Sequence, residues 1–256
     1  MEKKIGLHKM AELATETAQI VLQSGGETHR VENIIHKVCK QFGYDNVESY
    51  VTPTGIFLSV WDDQDHVATS IKRINSRSTD LNKIASISKL CDDIKSRNLS
   101  PDQYSQEMHV LALKTVYPLP VQVLFGGISA SFYALLFGGS WHDFGIAFFI
   151  GILIVLFNRL LYKAHFNIFL INALCGGLAV FIARFAGTYI NGLQTDKIVI
   201  GTIMLLVPGL AIVNAIRDTM AGDLVSGTAR LVEAFFIAIA IAAGTGSMLK
   251  LWYLFY

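Results

Sequence analysis

PGLAIVNAIRDTMAGDLVSGTARLVEA, residues 208–234, is the stretch on which the reading of this chain turns. It lies between two strongly apolar segments, yet Arg217, Asp218, Asp223, Arg230 and Glu233 make up five of the twelve Asp, Glu, Lys and Arg residues after Tyr117. Ionisable groups at membrane depth are costly, face a bundle interior or a watery cavity, and often mark an ion or substrate route. The stretch is therefore the leading functional candidate; the competing reading is a solvated hairpin loop with helix caps. Asn214 and Asp218 are four apart, and Arg230 and Glu233 three apart, so on helices each pair shares a face. Gly222 and Gly227 free the connection between the two arms. Pro208 has no amide to donate, and with Asn214 it interrupts the preceding segment, releasing carbonyls near Leu205 for a cation or a substrate ammonium. Partial desolvation raises a carboxylate pKa, which makes Asp218, Asp223 or Glu233 candidate proton carriers. Arg217 or Arg230 could take a substrate carboxylate.

Working outward, the 256-residue chain is 52% hydrophobic and 16% charged with a mean hydropathy of +0.46, too apolar for an ordinary soluble protein. The charge is uneven: 14 of 21 Lys and Arg and 15 of 20 Asp and Glu precede Tyr117. This predicts two parts, a cytosolic α+β head over residues 1–116 and a transmembrane body over 117–256. MEKKIGLHKMAEL at the start has no continuous apolar core of the kind a secretory signal needs, so the head is expected to stay in the cytosol. Cys39, Cys91 and Cys175 are scattered, which argues for neither a disulfide framework nor a zinc site, and no cofactor or metal is expected. A net charge of +1 without a basic stripe gives no nucleic-acid signal.

In the head, Met10, Leu13, Ala14, Thr17 and Val21 recur at helical spacing up to Gly25-Gly26, a C-cap signal. A second helix starts near Glu27, carries Val31, Ile34, Ile35, Val38 and Phe42 on one face, and stops at Gly43. Glu27 and Arg30 are one turn apart and able to pair. From Asn46 the pattern becomes β-rich: NVESYVT, the turn Thr52-Pro53-Thr54-Gly55, IFLSVW, an acidic turn, then HVATSIKRI. Ser78-Thr79-Asp80 reads as the N-cap of a helix with Leu81, Ile84, Ile87, Cys91 and Ile94 inward, and Ser100-Pro101 opens another.

Beyond Tyr117, five apolar blocks approach the roughly 20 residues that cross a bilayer. They lie at about 118–137, 144–157, 166–189, 198–215 and 229–249, which predicts an all-α bundle of about five transmembrane helices. Arg159, Lys163, Arg217 and Arg230 flank the loops after the second and fourth blocks, placing the head inside and Leu251 to Tyr256 outside. Gly126-Gly127, Gly176-Gly177, Gly244 and Gly246, with Ser129 and Ser131, are expected to permit close helix approach. Arg184 either snorkels to headgroups or faces an aqueous cavity.

Three segments, GGETHRVENIIHKV at 25–38, YVTPTGIFLSV at 50–60 and the stretch at 208–234, resemble in this order the bacterial threonine/serine exporter (ThrE) family, in its short split form. The resemblance covers nearly the whole chain. It implies a bacterial inner-membrane subunit that exports small amino acids such as serine and threonine, or small dicarboxylates such as succinate, driven by an ion gradient. By the same resemblance Glu27, Arg30, Val31 and Glu32 belong to a head motif and Thr52, Pro53 and Gly55 to a turn motif. Pro208, Gly209, Asn214, Asp218, Gly222, Asp223, Gly227, Arg230 and Glu233 belong to the membrane motif. Relative to the long form this chain stops at Tyr256, which implies a companion small membrane subunit, a homo-oligomer, or both. The expected coupling ion is a proton.

Two other classes stay open. One is a non-transporting regulatory or scaffold subunit. The other is a membrane-tethered hydrolase using Glu27, Arg30 and Glu32 with His29 or His36 and Thr54, against which stands the absence of a GxSxG or HExxH motif.

Overall fold

The computed structural model describes residues 5–114 and 117–255. Its elements run α1 (Leu7–Gln23), α2 (Thr28–Gln41), β1 (Val47–Thr52), β2 (Gly55–Trp61), β3 (Val67–Arg73), α3 (Leu81–Ser96), α4 (Pro101–Leu113), α5 (Leu119–Leu136), α6 (Trp141–Lys163), α7 (Ile168–Tyr189), α8 (Thr195–Ile203), α9 (Gly209–Met220) and α10 (Leu224–Phe255). They divide into two units. The first holds residues 1–116 together with Leu210–Val232; the second holds Tyr117–Gly209 and Glu233–Tyr256.

In the first unit the α+β expectation is met by a three-stranded antiparallel sheet in the order β1-β2-β3. Period-two alternation sends Val51, Ile56, Leu58, Val60 and Ala68 to one side of the sheet, where they join Met10, Ala14, Ala18 and Val21 of α1 in a single apolar core. Polar pairs fix the register between α1 and the sheet: Thr15 Oγ1 lies 3.0 Å from Ser70 Oγ, and Lys72 Nζ 3.6 Å from a Glu16 carboxylate oxygen. Tyr104 of α4 is fully buried with its hydroxyl 3.1 Å from Thr17 Oγ1 and 3.2 Å from Cys91 Sγ, and this burial pushes its pKa upward. Asp80 caps α3 by accepting from Lys83 N, and Ser100 with Gln103 closes a capping box on α4. Leu81 departs from the expected inward stripe and is exposed, because it is the first residue of α3, one turn before Ile84 reaches the core.

The second unit contains the apolar helices. Among the described residues four helices, α5, α6, α7 and α10, are long and apolar enough to cross a membrane. The fourth predicted span is divided instead. α8 has nine residues, a rise of about 14 Å against a hydrocarbon core of about 30 Å. The break follows from Pro208: it offers no amide to Met204 O, and Gly209 N turns to Val207 O at 2.9 Å. Asn214, by contrast, sits inside α9 without interrupting it. α10 has 32 residues, of which Leu224–Val232 belong to the first unit. Its remaining 23 residues rise about 35 Å, enough for one crossing.

Small residues bring these helices together as expected. A Cβ on Gly126 would meet the Val155 side chain, one on Gly127 the Phe148 carbonyl, one on Gly176 the Thr245 side chain, and one on Gly244 the Ala173 carbonyl. Gly246 has open space around it and is not a packing glycine. The Arg184 guanidinium lies 5.4 Å from the centre of the Tyr253 ring, an aromatic partner that neither sequence alternative named.

Candidate functional site

The site begins at the turn between α1 and α2. Gly25 adopts φ +90°, and a Cβ on Gly26 would fall 2.9 Å from the Val21 carbonyl, so only two glycines permit this reversal. The turn exposes the Gly25 and Gly26 carbonyls beside the start of α2. That helix has no cap from its own Glu27 side chain, which leaves its first amides in need of an acceptor.

Within the first unit α9 and the start of α10 supply partners for both glycine carbonyls and for the Thr28 amide. On α9 the buried face is Asn214, Ala215 and Asp218, the i, i+4 pair read from the spacing. Asn214 Nδ2 donates to Gly25 O at 2.8 Å. Asp218 accepts from Thr28 N at 3.0 Å through Oδ1 and from Thr28 Oγ1 at 3.1 Å through Oδ2. It therefore caps α2 from 190 positions away, with its negative charge at the positive end of that helix. Arg230 of α10 closes the knot: its Nε lies 2.8 Å from Asp218 Oδ2, and its Nη2 donates to Gly26 O at 2.7 Å. The two side chains of this ion pair are 1% (Asp218) and 4% (Arg230) exposed. Gly227 permits the approach, since a Cβ there would meet Thr219 and the Ala215 carbonyl. Gly222, at φ +95°, makes the turn between the two helices.

Around this knot lie two more carboxylates. Glu32 of α2 accepts from Val51 N at 3.1 Å, and Ser226 Oγ donates to Val51 O at 3.4 Å, so both backbone groups of Val51 are engaged. Burial, and after it repulsion from Asp223 and Asp218, holds Glu32 above the ordinary 4.5, against the opposing pull of the Val51 amide and His29. Asp223 is likewise raised above 3.8, first by burial and then by Asp218, with His29 opposing. Three acidic groups thus share one neighbourhood in which Asp218 has a buried cation of its own.

The other expected residues are placed as follows. Glu27 pairs with Arg217 rather than with Arg30, which donates instead to Ser88 Oγ at 3.3 Å. The predicted Glu27–Arg30 pair is absent because Arg217 reaches Glu27 from a helix that local spacing could not anticipate. Thr52, Pro53 and Gly55 form the β1–β2 turn, where Thr52 Oγ1 donates to Gly55 O at 3.3 Å. Thr54 lies 3.4 Å from Thr52 through its hydroxyl. Pro208, Gly209 and Glu233 are grouped with the second unit. Among the described residues no three His, Cys, Asp or Glu side chains are placed to hold a metal.

One buried acid escaped the reading of the sequence. Asp143 in the second unit accepts from Ser140 N at 2.6 Å, Ser140 Oγ at 2.8 Å and Gln194 N at 2.8 Å, and is fully buried. The Ser140-x-x-Asp143 capping box was a readable signal for its local half; the bond to Gln194 was not.

Comparison with known proteins places this geometry in context. A family model, ThrE, described as "Putative threonine/serine exporter", matches residues 12–252. A protein of Mycobacterium tuberculosis named "Probable threonine/serine exporter" is 26% identical over 92% of this chain, which covers 45% of that protein. Proteins of Klebsiella aerogenes and Escherichia coli, each named "Probable succinate transporter subunit YjjP", are 25% and 24% identical over 94% of this chain and 93% of their own length. The chain thus spans about half of the long relative and nearly all of the short ones. No solved structure is significantly similar to it.

Proposed function

The chain belongs to the ThrE exporter family, a family of membrane transporters, and from that premise we propose that it is one subunit of a secondary exporter in the bacterial inner membrane. Its cargo would be a small amino acid such as serine or threonine, or a small dicarboxylate such as succinate, in keeping with the names its relatives carry. The observation that carries a proton-coupled reading is the pair of raised carboxylates, Glu32 and Asp223, beside the Asp218–Arg230 ion pair. Burial and a neighbouring negative charge both favour the protonated form of these two acids, the property a proton-carrying group needs. Asp218 and Arg230 serve differently in this reading, as the latch that holds the α9–α10 hairpin onto the glycine turn. Arg217, 61% exposed and opposite Glu27, is the better placed guanidinium for a substrate carboxylate. The N-terminus would be cytoplasmic and the C-terminus outside.

The word subunit in the names of the short relatives supports a companion membrane protein supplying the rest of the path. The direct experiment is efflux of labelled serine, threonine and succinate from proteoliposomes under an imposed pH gradient, with and without that companion. Glu32→Gln and Asp223→Asn are expected to lower gradient-driven efflux about tenfold, while exchange without a gradient persists. Normal gradient-driven flux in both variants, correctly inserted, would remove the proton role. A regulatory subunit is the second reading, favoured by the knot that ties the head's glycine turn to the α9–α10 hairpin; transport by the companion alone would support it.

A further inference from the structure

The sheet has a second face that the core does not use. The register places Tyr50, Phe57 and Ile71 in one row across the three strands, with Glu48, Ser59 and Thr69 in the next row and Trp61 beside Val67 beyond it; Arg73, on the same face, lies in the row on the opposite side of Phe57. Tyr50, Phe57, Val67 and Ile71 are 53%, 44%, 51% and 64% exposed. The Tyr50 and Phe57 rings stand 6.3 Å apart and present one apolar surface. Exposed aromatic and β-branched groups in a row are an unfinished layer, since a sheet face of this composition ordinarily packs on another layer about 10 Å away.

The charges at the edge of the patch say what fits it. Glu48 on β1 and Arg73 on β3 are one strand away from Phe57 in opposite directions, and two residues along in opposite directions. With strands about 4.8 Å apart and about 6.8 Å per two residues, they lie at equal distances on a diagonal centred on Phe57. A two-fold axis in the plane of the face, passing through Phe57 at right angles to that diagonal, brings Glu48 of one copy onto Arg73 of the other, twice. The same operation sets Phe57 against Phe57 and crosses the strands steeply, as in orthogonal sheet packing. We propose that this face is an isologous docking surface for a second copy of the chain, centred on Phe57 and keyed by two Glu48–Arg73 pairs.

The inference stands apart from the proton reading and involves neither Glu32 nor Asp223. Strands of six, seven and seven residues offer about 330 Å² per copy, well under the roughly 800 Å² per partner of a stable soluble dimer, so the contact is weak and gains from confinement in a membrane. The experiment is crosslinking of Phe57→Cys by a short bismaleimide in native membranes, with His36→Cys on α2 as the control. The native Cys39, Cys91 and Cys175 are buried and contribute little background. Covalent homodimer is expected at least fivefold above the control. Glu48→Arg, which sets two arginines opposite each other, should abolish it, and Glu48→Arg with Arg73→Glu should restore it. Yield no higher than the control, or dimer indifferent to Glu48→Arg, would overturn the proposal. So would crosslinking chiefly to a different protein. If the charge variants fail to elute as single species, the Phe57→Cys yield against the control decides by itself.

Discussion

Asp218 is the residue on which the candidate site depends, and its importance lies in where its partners come from. Its carboxylate caps a helix that begins 190 positions earlier and balances a buried guanidinium. Removing one member of a buried pair leaves the other uncompensated, so Asp218→Ala and Arg230→Met should each destabilise the protein by about 3–5 kcal/mol. The double variant should lose clearly less than the sum, as read by thermal melts of the purified protein in detergent. Glu32 and Asp223 behave in the opposite sense. Their pKa values are raised in the folded state, so folding favours the protonated acids; the benefit is complete below the ordinary values of 4.5 and 3.8 and is lost as pH rises through the folded values. Glu32→Gln and Asp223→Asn are therefore expected to raise the melting temperature at pH 7 and to leave it little changed near pH 4. A stability advantage that grew on acidification would contradict the assignment. The polar character of these residues was legible from the sequence. Their partners were not, because a carboxylate does not encode which distant backbone amide it will reach.

At the scale of elements, close packing between α7 and α10 turns on single glycines. Gly244 leaves no room for a methyl group against the Ala173 carbonyl, whereas Gly246 faces open space two residues later in the same helix. Gly244→Ala should cost about 1–3 kcal/mol from overpacking. Gly246→Ala should fall within about 1 kcal/mol of the parent, and thermal melts of the two variants under one condition provide the comparison. Composition nominated both glycines equally, and only their position around the α10 circumference separates them. The broken fourth span shows the converse. Pro208 announced the interruption through its missing amide, a local property that no packing could disguise. The length of each piece was not announced, since residues 198–215 remain apolar across the break and apolarity alone does not set a helix end.

For the whole molecule, the division of the chain is the main result with practical consequences. Charge and hydropathy predict a boundary near residue 116; by packing, Leu210–Val232 group with the residues before Tyr117, and Tyr117–Gly209 with Glu233–Tyr256. Deleting residues 1–114 should consequently strip Asn214 and the Asp218–Arg230 pair of the Gly25, Thr28 and Gly26 groups they bond to. It is expected to yield aggregated or degraded protein rather than a functional set of spans, as judged by membrane yield and monodisperse elution. Co-expression of residues 1–114 as a separate chain should recover part of that yield. By itself the sequence determined the α+β nature of the head, the long apolar helices, the glycine and proline breaks and the family, because these depend on side-chain periodicity, backbone freedom and motifs read within a few tens of residues. Only the tertiary structure decided that the polar stretch after Pro208 caps and latches the glycine turn near the start of the chain. Such a bond requires two segments nearly 200 positions apart to meet, and their meeting is set by the packing of everything between them.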